Sequence, residues 1–343
     1  MADYIISYPV LIFCFLVSFL FVLLLIPKWI TRMKKLGFVG KDMQKVSKEE
    51  VAELGGVVVF AGFLLGSLLY IAIDTFYILH DSTSSFLLRD LTAMAGLLTI
   101  SLIAVIGFVD DILGWKIGLG QWKKPLLCAV AALPMMVVNS GHSTMMFPLI
   151  GMIDLGLVYP LFLVPLAITV TSNGFNMLAG YNGLEAGLGV IILSALAYVS
   201  WVNDAGHVAI LALCMVFALL GFLVFNSYPS RVFPGNTMTY AIGATIGVVA
   251  ILGNVEKFAV LLFLPFIVQF FLKARGRMKK ESFAKVKYDG SLEQPYSKIY
   301  GLEHAMIMVV GAVKKKVFER DVVYSLYILE LALVAVMFVW RTL

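Results

Sequence analysis

Charge is scarce in this chain. Of its 343 residues, 14% are charged and 61% are hydrophobic. A water-soluble domain of this length could not bury so much apolar surface, which excludes the soluble globular class. Strict alternation of apolar and polar residues is missing too, and that excludes a membrane β-barrel. Cysteine is rare. Cys14, Cys128 and Cys214 all lie inside apolar runs and read as buried thiols, so no disulfide or thiolate–metal framework is expected. The first apolar run lacks a basic n-region and a small-residue cleavage site, so it reads as a retained helix and not as a signal peptide. No low-complexity segment and no second folded domain is visible.

What is present is a series of continuous apolar runs, each about 20 residues long, the length a spanning helix needs. Ten spans are expected, near 4–27, 53–77, 91–109, 122–139, 153–172, 184–202, 206–226, 237–253, 256–272 and 322–340. Pro160 and Pro165 are expected to kink the fifth without ending it. Gly62 with Gly66, and Gly243 with Gly247, suggest close helix packing. The fold class is therefore an all-α polytopic membrane protein, one integral domain over residues 1–343.

The loops sort by charge. Loop 28–50 carries seven Lys/Arg, 110–124 carries three, 227–236 carries one and 273–320 carries twelve. With the chargeless turn 173–183, these five alternate loops hold 23 of the 26 basic residues. Only Arg89, Lys257 and Arg341 fall on the other side. The positive-inside rule then places the five loops in the cytoplasm and both termini outside. Loop 273–320 is long enough for a short helix or hairpin and reads as a substrate-binding loop.

Four polar features share that face. Gly107-Phe108-Val109-Asp110-Asp111 ends the third span. Adjacent carboxylates there call for a cation or a shared proton, or else mark a solvated helix end. Lys116, Lys123 and Lys124 follow. The turn from Thr171 to Gly187 carries Asn173, Asn176, Asn182, Glu185 and several glycines. Amides and a carboxylate at a membrane edge are costly unless something polar fills the space, and carboxamide oxygens are acceptable ligands for Mg²⁺; helix capping is the simpler alternative. Phe233-Pro234-Gly235-Asn236-Thr237 leads into the eighth span, where free backbone N–H groups of Asn236 and Thr237 would suit phosphate, or be capped. Arg275-Gly276-Arg277-Met278-Lys279-Lys280 opens the last loop, with Tyr296, Lys298, Glu303 and His304 beyond. A basic juxtamembrane run alone needs only topology and anionic lipid. Together the four suit a phosphate-rich soluble substrate, a divalent metal and a lipid-borne partner.

On these residues the chain resembles the polyprenyl-phosphate N-acetylhexosamine-1-phosphate transferase family. Gly107 to Asp111 resembles its acidic motif, Asn173 to Gly187 its nucleotide and metal motif, and Phe233 to Thr237 its third motif. Asn182-Gly183-Leu184-Glu185-Ala186-Gly187 is similar to the eukaryotic and archaeal dolichyl-phosphate branch. The resemblance implies a ten-helix fold and transfer of GlcNAc-1-phosphate from UDP-GlcNAc to dolichyl or polyprenyl phosphate, with release of UMP, the first lipid-linked step of N-glycan assembly. It also implies Mg²⁺ as cofactor, with Asn176 and Asn236 at the metal and Asn173 beside the pyrophosphate. Asn182 would bind uracil with Phe233 stacked on it. Lys116 or Lys123 would meet phosphate, and Arg275 and Arg277 would grip the diphosphate and sugar. Glu185 belongs to the same substrate motif. Gly276 stands where the eukaryotic pattern has His, and His304 is read as its substitute. The family's third motif ends in Asp. Here Asn236 removes a negative charge, whether as a natural variant or an engineered substitution, and weak or absent activity is expected.

The chemistry follows from bringing two anions together. In-line attack of the lipid phosphate on the β-phosphorus is expected, with Asp110 or Asp111 deprotonating or orienting it. A different sugar nucleotide or an undecaprenyl acceptor is the nearest alternative. An intramembrane prenyltransferase would need a second Asp-rich motif. A secondary transporter would place polar residues near the midplane. The expected partners are UDP-GlcNAc, the lipid phosphate and the bilayer, with no nucleic acid and with a homodimer left open. An archaeal plasma membrane is favoured over the endoplasmic reticulum.

Overall fold

The computed structural model describes residues 8–78, 84–114, 118–147 and 151–342. Their apolar runs form helices because a backbone in lipid must satisfy its own hydrogen bonds. In chain order these are α1 Tyr8–Leu36, α2 Gly55–Ile73 with a π-helical extension Asp74–Ile78, α3 Ser84–Leu113, α4 Lys123–Ala131 and α5 Leu133–Val137. A π-helical turn Tyr159–Leu163 leads into α6 Val164–Phe175, followed by α7 Leu184–Val202, α8 Gly206–Asn226 and α9 Gly235–Leu252. Then come α10 Glu256–Leu262, α11 Leu264–Arg275, α12 Leu302–Gly311 and α13 Glu319–Thr342. The strands among the described residues are three short antiparallel pairs: β1 Val39–Lys41 with β2 Glu50–Ala52, β3 Thr144–Phe147 with β4 Gly151–Asp154, and β5 Lys285–Val286 with β6 Leu292–Glu293.

Among the described residues seven helices are long and apolar enough to cross a membrane, and α10 with α11 makes an eighth if the pair, bent by 53°, is one span. The bend falls at Phe263–Leu264, just before Pro265, whose missing N–H and ring cannot continue the preceding turn. Two expected spans differ from expectation. Residues 122–139 are broken into α4 and α5, with Pro134 opening the second piece. The stretch 153–172 begins in β4, and its helix runs from Tyr159 to Phe175. Pro160 falls in the π-helical turn, where the ladder is already irregular. Loop 273–320 contains both a hairpin, β5–β6, and a helix, α12.

Helix α9 is the axis of the bundle. It packs on α2, α3, α6, α7 and α8, and its side chains are buried from Thr237 to Ile251. Small residues allow this crowding. A Cβ on Gly243 would lie 2.4 Å from the Thr171 carbonyl of α6. Gly62 and Gly66 do the same for α2 against α1, where Ser18 and Val22 fill the space. Because α9 touches both α3 and α6, whatever its first turn carries meets the ends of both.

Candidate active site

Asp110 and Asp111 lie in the last turn of α3. The negative end of a helix dipole disfavours carboxylates there, so each needs donors. Asp111 finds them in α9: it accepts the backbone N–H of Asn236 at 2.6 Å, the N–H of Thr237 at 2.9 Å and the Thr237 hydroxyl at 2.7 Å. The N–H groups read from the sequence as free for phosphate are therefore taken by a carboxylate from another helix. Gly235 makes the approach possible. Its φ is +70°, and a Cβ there would lie 2.7 Å from the Asp111 Oδ2. Asp110 is buried. Its Oδ1 accepts the Leu119 N–H at 2.7 Å, and its Oδ2 accepts Lys124 Nζ at 2.5 Å and Asn236 Nδ2 at 2.8 Å.

Asn173 and Asn176 reach the same turn from the end of α6. Tyr240 donates its hydroxyl to Asn173 Oδ1 at 3.0 Å, and Asn173 Nδ2 donates to the Thr169 carbonyl at 2.9 Å. Thr239 donates to Asn176 Oδ1 at 2.7 Å. Asp110, Asp111, Asn173, Asn176 and Asn236 are thus gathered around the first two turns of α9. Asp110, Asn176 and Asn236 carry oxygens of the hard kind that Mg²⁺ accepts, and here the Asn236 amide turns its nitrogen to Asp110. Among the described residues no group of three or more His, Cys, Asp or Glu could hold a metal, so a cation here would depend on amide oxygens. Glu53 stands near the pair. Its burial and the negative charge of Asp111 push its carboxyl above the ordinary Glu range.

A second group lies along β1. The Phe233 ring packs beside Gly40, where an added Cβ would meet its Cδ2 at 3.3 Å, and the Glu53 carboxylate lies against the same glycine. The Phe233 backbone is pinned by donating its N–H to the Ala52 carbonyl at 2.7 Å. Two residues beyond Gly40, Asp42 Oδ2 accepts Asn182 Nδ2 at 3.0 Å. The Asn182 N–H donates to Glu319 of α13 at 2.7 Å. Glu185 folds back on its own turn and accepts the Gly180 N–H at 2.9 Å.

The basic residues are less closely held. Arg275 and Arg277 are exposed at the end of α11, with the Arg275 guanidinium 6.0 Å from the Tyr300 ring. Gln121 donates to the Met278 carbonyl at 3.2 Å and so ties this segment to the loop that carries Lys124. Lys123 is exposed, and its neighbour Lys124 takes the carboxylate. Lys116 lies outside the described residues. His304 differs from expectation. It is fully buried, packed edge-on against Tyr296 with ring centres 5.6 Å apart, so its ring does not stand on the open face as a sugar contact would. Asp42, Glu53, Thr239, Tyr240 and Glu319 carry no motif signal in the sequence. Asp42 and Glu53 look like ordinary loop charges, and Thr239 and Tyr240 look like ordinary helix residues.

The fold and the site together define a polytopic, all-helical membrane protein whose polar centre, rich in carboxylates, amides and cations, forms at one end of the bundle. Residues 93–254 match glycosyl transferase family 4. The chain is 38% identical, over 88% of both chains, to a Saccharolobus solfataricus protein provisionally named UDP-N-acetylglucosamine–dolichyl-phosphate N-acetylglucosaminephosphotransferase. It is 31% identical to the Schizosaccharomyces pombe UDP-N-acetylglucosamine–dolichyl-phosphate N-acetylglucosaminephosphotransferase, over 69% of this chain and 60% of that one. It is 29% identical to a phospho-N-acetylmuramoyl-pentapeptide-transferase of Halalkalibacterium halodurans, over 76% of this chain and 80% of that one. The chain belongs to the polyprenyl-phosphate N-acetylhexosamine-1-phosphate transferase family.

Proposed function

We propose that this protein transfers GlcNAc-1-phosphate from UDP-GlcNAc to dolichyl phosphate or a related polyprenyl phosphate and releases UMP. The observation that carries this reading is the gathering of Asp110, Asp111, Asn173, Asn176 and Asn236 around the start of α9, with Lys124 beside them. The relatives named for this transfer in archaea and a eukaryote favour GlcNAc and dolichyl phosphate over the bacterial substrates.

The nucleophile is a lipid phosphate oxygen, already an anion. It forms a bond to the β-phosphorus, the bond from that phosphorus to the bridging oxygen breaks, and UMP departs with the bridging oxygen. Lys124, with Lys123, Arg275 and Arg277, offsets the negative charge of the approaching phosphates. Asp110 orients the lipid phosphate or accepts its last proton. All three donors to Asp111 come from the first turn of α9, so it serves to hold that helix; the donors to Asp110 include the Lys124 and Asn236 side chains, which can turn to an incoming phosphate. Mg²⁺, held by Asn176, Asn236 and Asp110, would supply charge neutralisation. Asn236 makes that hold weaker than an Asp would, and low turnover follows. The reading includes ten spans, outside termini, a cytoplasmic site and an archaeal plasma membrane. These rest on the loop charges and on the archaeal relatives.

The test is transfer of radiolabel from UDP-[¹⁴C]GlcNAc into the organic phase by purified protein with dolichyl phosphate, for this chain and for Asn236→Asp. Label in the lipid, faster with the Asp variant, is the expected result. Equal rates would remove the role given to Asn236. Substrate movement across vesicles with no labelled lipid from either protein would favour a transporter.

A further inference from the structure

The contact between Asp42 and Asn182 carries information about nucleobase choice, given the proposed use of a uridine nucleotide. Asp42 is 2% exposed and Asn182 is 6% exposed. The Asp42 carboxylate collects three donors: the Gln44 N–H at 3.2 Å, Lys45 Nζ at 3.0 Å and Asn182 Nδ2 at 3.0 Å. An ionised carboxylate only accepts hydrogen bonds, and this one is ion-paired with Lys45. Asn182 must therefore turn its nitrogen toward Asp42. Rotating the carboxamide by half a turn would set an oxygen against the carboxylate. The Asn182 backbone cannot shift to relieve this, because its N–H is held by Glu319 at 2.7 Å. Tyr327 fixes the next residue, donating its hydroxyl to the Gly183 carbonyl at 2.6 Å.

With Nδ2 engaged by Asp42, Oδ1 is the carboxamide atom left to meet a ligand, and it can only accept. The Phe233 ring lies against the same short strand, beside Gly40. Gly40 lies in β1 and Asp42 one residue beyond its end; two residues of extended chain span about 7 Å, roughly the width of a pyrimidine ring and its substituents. Uracil offers a single ring donor, N3–H, between two carbonyl acceptors. Cytosine offers an acceptor at N3.

We propose that Asp42 is a positioning residue for base selection: by accepting the Asn182 Nδ2–H it fixes that carboxamide with its oxygen toward the nucleobase, so the site takes a pyrimidine with a ring N–H and rejects one with a ring acceptor. This rests on the proposed uridine-nucleotide site. A carboxamide at position 42 can donate as well as accept, so it permits both orientations of Asn182.

The test measures binding of UMP and of CMP by calorimetry to the full chain in detergent, for the parent and for Asp42→Asn and Asp42→Ser. The second substitution also places an ambivalent group there and is read in the same way if the first does not fold. The parent is expected to favour UMP. The ratio of UMP to CMP affinity is expected to fall roughly tenfold in either variant, the worth of one charge-assisted hydrogen bond. A purely structural role predicts that both nucleotides weaken together with the ratio unchanged, and that result, or no change at all, overturns the proposal alone. A parent that binds neither nucleotide overturns the uridine reading as well.

Discussion

Asn236 is the residue on which the state of the site turns. Its Nδ2 donates to Asp110 Oδ2 at 2.8 Å, so without a cation the amide links what two acids would push apart. An Asp in its place would set two carboxylates at that contact, a like-charge pair that calls for a cation. Asn236→Asp is expected to lower the melting temperature in metal-free buffer, by the equivalent of about 1–3 kcal/mol. Added Mg²⁺ should then raise it more than in the parent. Thermal melts with and without Mg²⁺ measure this, and an identical Mg²⁺ response in the two proteins would refute it. Asp110 and Asp111 also separate by role. Asp111→Asn replaces one of the two accepting oxygens by a donor, which then faces either the Asn236 N–H or the Thr237 N–H, and it should destabilise by about 2–3 kcal/mol. Asp110→Asn should keep nucleotide binding and lose turnover, and full turnover in that variant would remove Asp110 from the chemistry. These residue types were legible in the sequence because acids, amides and glycines are out of place at a membrane edge. Their partners were not. Thr239 lies 63 residues from Asn176, and Asp42 lies 140 residues from Asn182, and no local spacing encodes such pairs.

At the scale of elements, the turn that carries the amides is held by helices the motifs do not mention. Gln269 is fully buried in α11. Its Nε2 donates to the Met177 carbonyl at 2.9 Å and to both Glu303 oxygens at 3.1 and 3.0 Å, and its Oε1 accepts the Leu302 N–H at 2.7 Å. One side chain thus joins α11, the first turn of α12 and the residue after Asn176. Gln269→Leu should leave the Glu303 carboxyl buried with fewer partners and cost about 2–4 kcal/mol. Adding Glu303→Leu should recover part of that loss, since removing both polar partners costs less than orphaning one. A double variant less stable than the single one in denaturant titrations would contradict this account. The next residue supplies a pH signature. Burial lowers the pKa of His304 below its ordinary 6.5. The unfolded chain then binds the proton more readily, so the ring's contribution is complete above pH 6.5 and is lost as pH falls. His304→Phe should flatten the decline in melting temperature between pH 7 and 5, and equal slopes in the two proteins would show that the ring is not the cause. The sequence pointed to His304 as a substitute for the histidine that the eukaryotic pattern has where Gly276 stands. Its burial depends on α12 folding back onto α11, which periodicity within either helix does not reveal.

The whole molecule is a bundle whose five basic or turn-rich loops converge at one end. Loop 28–50 meets turn 173–183 through Asp42 and Asn182, loop 110–124 meets 227–236 through Asp111 and Asn236, and the last loop reaches the first where the Ala284 N–H donates to Gln44 at 3.4 Å. Long continuous apolar runs made most of the helices legible. The broken pair α4 and α5 and the late start of α6 were not, because a run of apolar residues does not show where proline or a hairpin interrupts it. Convergence gives a sharp expectation for topology. If the ten segments cross the membrane alternately, Lys48 and Lys315 belong to the side that holds the site, while Asp204 and Asn254 belong to the other; all four are exposed. The three native cysteines are buried, so single cysteines introduced at these positions can be read with an impermeant maleimide on intact cells and on inverted vesicles. Cysteines at 204 and 254 should label from outside. Those at 48 and 315 should label only when the cytoplasmic face is exposed. Labelling of 48 and 204 from the same side would mean an odd number of crossings has been miscounted between them. The chargeless turn holding Asn173, Asn176 and Asn182 could then no longer be assigned to the cytoplasm from the basic residues of its neighbours.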